Sequence, residues 1–160
     1  MKNIIILFLM FASIVFAEWK YGISHNDYGK TFHDFTVYDI ERESIFQFSV
    51  TTDIYPGYSS ILISNDKIKK NAKLSLSILD NSDDLVDYKI YKEDIKNGLI
   101  GIHSADRGDT LTKMLVSAQV VMLYNDSKGE LLAFFDLEGL KEIIEQKLGN
   151  SDWYKYKLND

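Results

Sequence analysis

Polar and apolar residues alternate along much of the chain. In SIFQFSVT, residues 44–51, Phe46, Phe48 and Val50 fall on one side and Gln47, Ser49 and Thr51 on the other. In KLSLSIL, 73–79, Leu74, Leu76 and Ile78 alternate with Ser75 and Ser77. In LVDYKIY, 85–91, Val86, Tyr88 and Ile90 oppose Asp87 and Lys89. A period of two is that of strands buried on one face. DNSDD, 80–84, joins the last two into a hairpin, because Asx side chains bond their own turn backbone. NDSKG, 125–129, makes a second hairpin turn, with Gly129 free to take positive φ. Further strands are predicted near 32–40, 60–64, 98–103, 118–124 and 130–135.

Helical spacing interrupts this pattern twice. Leu111, Met114, Leu115 and Ala118 line one side of a helix for which Asp109 is the predicted N-cap. Leu137, Leu140, Ile144 and Leu148 define a second helix, starting at Asp136. There Asp136 is read as an N-cap rather than a catalytic carboxylate, since a cap loses its use if it must change charge. Phe135 and Leu140 would form a hydrophobic staple and Gly149 a left-handed stop. The expected fold class is mainly β: an antiparallel β-sandwich or curved sheet with two short helices packed at an end or edge. Residues 18–160 read as a single β-rich domain, with no repeat or linker.

The first 17 residues stand apart. Lys2 precedes an apolar run, 4–16, broken only by Ser13, and Val15 and Ala17 occupy the small-residue positions of a cleavage site. This is the pattern of a secretory signal peptide cleaved before Glu18, and the run is short for a membrane span of ~20 residues. The protein is therefore expected to be periplasmic or secreted from a bacterium, with no stable membrane anchor after cleavage. N-terminal sequencing of the exported protein is expected to begin at Glu18; a retained Met1 in the membrane fraction would overturn this.

Composition removes several function classes. The chain has no cysteine, so thiol catalysis, zinc–thiolate sites and disulfides are ruled out. Its net charge is −6, and loss of Lys2 makes the mature protein more acidic. Nucleic-acid binding needs clustered Lys and Arg, and DKIKKNAK, 66–73, is the one basic cluster, read as a solvated turn. No nucleic-acid partner is expected.

The order of motifs carries a resemblance. EWKYG opens the mature chain, YPGYSSILIS lies near residue 60, and LTKMLVSAQVVMLYNDSKGELLAFFDLEGL comes near the end. Over roughly residues 18–140 this order resembles a family of small exported bacterial and prophage proteins of unknown function. More distantly it is similar to the invasion-associated locus B proteins and the VasI-type accessory proteins of type VI secretion. The resemblance implies an exported β-rich domain and carries over no catalytic residue. The cysteines common in those relatives are missing here.

Candidate chemistry is sparse. His25, Asp27, His33 and Asp34 are adequate metal ligands, but their spacing matches no template, and on a strand His33 and Asp34 would face opposite sides. DNSDD lacks the ligand pattern of a calcium loop. The tripeptide Arg107-Gly108-Asp109 matches an adhesion motif, but its Asp is the predicted helix cap. There is no nucleophile elbow. No cofactor, metal or catalytic residue is expected. Aromatic content is the remaining signal, and in DIYPGYSS, Tyr55 and Tyr58 flank a Pro-Gly turn read as type II. The functional expectation is a non-catalytic binding module of the bacterial envelope or exterior. Its partner would be another protein, of the envelope, a secretion system or a host, met through Tyr55 and Tyr58. The alternative is an envelope hydrolase using a carboxylate pair, which spacing alone does not reveal.

Overall fold

The alternating segments pair into two antiparallel sheets that close on one core. The structure is a computed structural model describing residues 18–158 apart from 40, 42 and 104. The expected signal peptide, 1–17, lies outside the described residues. The first sheet contains β1 (Lys20–His25), β2 (Thr31–Tyr38), β3 (Ile45–Thr51), β4 (Tyr58–Ser64), β7 (Ile95–Lys96) and β8 (Leu99–Ile102), in the order β1-β2-β3-β4-β8-β7. The second contains β5 (Leu74–Asp80), β6 (Leu85–Lys89), β9 (Ala118–Asn125) and β10 (Glu130–Asp136), in the order β10-β9-β5-β6.

Alternation dictates which faces meet. Phe46, Phe48 and Val50 from β3 and Ile61 and Ile63 from β4 point inward from the first sheet, all essentially inaccessible. Leu76, Ile78, Val121 and Phe135 answer from the second. Phe46 and Phe135 meet across the gap, ring centroids 5.5 Å apart. This is the sandwich expected from strand periodicity. Both expected hairpins form, β5–β6 and β9–β10. Asp80 Oδ1 accepts from the amides of Ser82 and Asp84 at 2.8 and 2.9 Å, which is the Asx chemistry assigned to DNSDD. Gly129 takes φ +61 in the other turn.

Two helices are expected; the described residues hold three: α1 (Ala105–Leu115), α2 (Leu140–Leu148) and α3 (Asp152–Lys157). The predicted helix starts need correction. α1 begins at Ala105, so Asp109 lies within it rather than capping it, and Ala118 is the first residue of β9. α1 packs on β4, and Gly108 allows a close approach: a Cβ there would stand 2.0 Å from the Ser59 carbonyl oxygen. That proximity places the Asp109 carboxylate against Ser59, where it serves the sheet instead of its own helix. Asp136 also does not cap. β10 runs through it, its Oδ1 accepts from the Glu138 amide at 2.9 Å, and α2 starts only after Gly139, at φ +82. Gly149 is right-handed, φ −56, not a left-handed stop. The chain needs no reversal there, because Ser151 starts α3 two residues later. Its hydroxyl donates to the Leu148 carbonyl at 2.6 Å and accepts from the Tyr154 amide at 3.1 Å.

Candidate functional site

The DIYPGYSS segment leaves β3 and returns as β4, and three contacts fix its course. Asp53 Oδ2 accepts from the Thr31 amide at 2.6 Å, tying the start of the loop to β2. Gly57, at φ +103, passes so close to its neighbours that a Cβ would lie 2.5 Å from Thr51 O and 3.0 Å from Trp153 Cβ. Trp153 beneath it is fully buried and packs on Phe48, centroids 5.9 Å apart. The Tyr55–Pro56 bond is cis, and Gly57 has the positive φ expected of the second central residue of the Pro-Gly turn.

Over this support the loop and α3 present an aromatic ledge. Tyr55 is 71% exposed and Ile54 41%. The ring partner of Tyr55 is Tyr156 of α3, itself 51% exposed, in an edge-to-face arrangement with centroids 5.8 Å apart and planes at 69°. Such pairs are favoured by the ring quadrupoles. Hydrogen bonding to Tyr156 raises the Tyr55 phenol above the ordinary tyrosine range, with burial and the Tyr156 and Asp152 charges contributing less. Tyr58 is half-buried at the first position of β4, opposite Thr51. Tyr55 and Tyr156 thus form an exposed aromatic pair. Tyr156 is absent from the sequence-based expectation. Its signal lay in DWYKYK, where Trp153 and Tyr156 sit three apart and are split by the helix between core and solvent.

Below the ledge is a buried polar junction. Asp109 Oδ1 accepts from the Ser59 amide at 3.0 Å, from Ser59 Oγ at 2.8 Å and from Trp153 Nε1 at 3.4 Å. Lys157 Nζ lies 3.0 Å from Oδ2, an ion pair set off the hydrogen-bonding direction. Ser59 Oγ also meets Thr112 Oγ1 at 2.8 Å. Ser59 is wholly buried and has no imidazole partner, so this serine is a structural link, not a nucleophile.

The remaining candidates separate. His33 Nδ1 contacts Tyr21 Oη at 2.8 Å on the Phe35 side of β2, while Asp34 Oδ1 accepts from Ser49 Oγ and Gln47 Nε2 on the other. His25 and Asp27 are exposed at the β1–β2 turn. Among the described residues no group of three or more His, Asp or Glu is placed to hold a metal ion. The adhesion-like tripeptide lies inside α1: Arg107 makes a bidentate pair with Asp94 at 2.9 and 2.5 Å and stacks over Tyr91 at 4.4 Å. Hydrogen bonding to Asp94 raises the guanidinium pKa further, against the opposing effect of burial. With Asp109 buried as well, the tripeptide is not displayed as a mobile loop. No helix among the described residues is long and apolar enough to cross a membrane. Comparison with protein-family models, with curated proteins and with solved structures gives no match to this chain.

Proposed function

We propose that this protein is an exported binding module that recognises another protein through the ledge of Ile54, Tyr55 and Tyr156. The observation that carries the reading is the pairing of two exposed tyrosines on a backbone held from beneath by Gly57 and Trp153. Tyrosine is enriched at binding hot spots because one ring contributes area and a hydroxyl with few torsions to freeze. Here the rings already lean on each other, so less freedom is lost on docking. Export is supported by the charged, apolar and small-residue order of positions 2–17.

Exchanging Tyr55→Ser together with Tyr156→Ser tests the site. Both positions are exposed, so stability is expected to change by no more than about 1 kcal/mol, the worth of the aromatic pair itself. Recovery of partner proteins from the native envelope and culture fluid, compared with wild type by mass spectrometry, is expected to collapse. A stable double variant that retains the same proteins at the same yield would remove the ledge from consideration.

A further inference from the structure

A second surface lies on the outer face of the four-stranded sheet and shares no residue with the ledge. Met122 pairs directly with Phe134, and Val120 pairs with both Leu79 and Asp136. Directly paired residues share a face. Their neighbours Ile78, Val121 and Phe135 point into the core, so these side chains point out of it. Elsewhere this face is mixed: Ser75 Oγ donates to Asp126 at 2.7 Å and Ser77 Oγ to Asp87 at 2.5 Å, while Tyr124 and Leu131 share the face through their pairing with each other and with Ser75. At one end it is apolar. Leu79, Val120, Met122 and Phe134 floor a groove of about 510 Å3. The outer face of a sandwich sheet is commonly solvated, so a concave apolar floor on it is a candidate binding site.

The rim supplies the polarity. Its charged residues are Asp136, Glu138, Lys141 and Glu142, three carboxylates against one ammonium. Asp136 ends β10, Glu138 lies in the turn, and Lys141 and Glu142 lie in the first turn of α2; Trp19 Nε1 donates to the Glu138 carbonyl at 3.1 Å. None of the three carboxylates belongs to an ion pair among the described residues. The positive end of α2 adjoins the same rim, and Glu142 in its first turn offsets it.

We infer that this groove binds a short peptide segment of a partner protein in which one or two apolar side chains are flanked by Lys or Arg. The apolar side chains enter the Leu79–Val120–Met122–Phe134 floor, and the cations meet the unpaired carboxylates of the rim. The size suits a few side chains rather than a whole helix, because pockets of a few hundred Å3 enclose ligands of that scale. Charge complementarity would set the specificity, since an acidic segment meets like charge at the same positions. The site is independent of the ledge and stands or falls without it.

The test uses the mature protein and two labelled, end-capped peptides, Lys-Leu-Phe-Lys and Glu-Leu-Phe-Glu, followed by fluorescence anisotropy. The basic peptide is expected to bind at least about tenfold more tightly, with an advantage that shrinks as salt is raised. Glu138→Gln with Glu142→Gln changes exposed positions and is expected to cut that preference several-fold without moving the melting temperature. Phe134→Ser is expected to weaken both peptides. Tyr55→Ser with Tyr156→Ser is expected to leave both affinities unchanged, which separates failure here from failure of the ledge. Equal affinity for the two peptides, no saturable binding of the basic one, or a preference untouched by the glutamine pair would each overturn the proposal.

Discussion

Replacing Trp153 with alanine is expected to lower stability by about 4 kcal/mol, the usual range for a buried large aromatic residue cut to a methyl group. The indole is fully buried, packs on Phe48 and lies under Gly57. Its removal would leave a cavity between the first sheet and the segment carrying Tyr55. Trp153→Phe is expected to cost less, since it keeps most of the ring volume and loses the 3.4 Å contact with Asp109. Denaturant unfolding of both variants measures this. A loss below about 1 kcal/mol for the alanine variant would mean that α3 is not part of the folded core, since buried aromatics cost several times that.

Asp109 is expected to give the second largest effect. Changing it to alanine strands the buried Ser59 amide and hydroxyl and leaves Lys157 without its partner. Lost hydrogen bonds to a charged, buried acceptor together cost about 3 kcal/mol. Asp109→Asn retains an oxygen for Ser59, so about 1 kcal/mol is expected. Lys157→Met should cost least, because the lysine is partly exposed and water competes for its charge. The order alanine, then asparagine, then the lysine variant is the informative result in urea unfolding. An asparagine variant as unstable as the alanine one would mean that the ion pair, rather than the link to β4, holds the junction.

The same residue shows where sequence reading stops. Asp109 stands before an apolar helical stripe, as a cap would, and nothing local distinguishes a cap from an acceptor for a strand 50 positions earlier. Asp136 was misassigned for a related reason: the strand runs through it, and the turn at Gly139, not the acid, sets the helix start. The strands were legible wherever one face is buried and the other polar, as in β3 and β5. β1 was not, because it is an edge strand exposed at nearly every position, with only Tyr21 and Ile23 to mark a face. α3 is too short for a periodic signal and reads as an aromatic run until Phe48 and Gly57 are placed beside it. Tyr55 was legible as loop chemistry, and Tyr156 was not, since their meeting depends on that helix. The groove was invisible for a different reason. Its floor is drawn from three strands, and only their register brings Leu79, Val120, Met122 and Phe134 together.

The junction at Asp109 also imposes an order on folding. Ser59, Asp109 and Trp153 close on one another, yet the indole follows the acid by 44 positions and Lys157 comes later still. A chain synthesised N-terminus first completes β3, β4 and α1 before α3 is available to cover them. Until α3 arrives, Phe48 has an open side and Ser59 lacks part of its surround. Contacts so distant in sequence slow folding, because the loop between them must close before they form. The contacts of Trp153 with Phe48 and Asp109 can therefore form only once α3 is present.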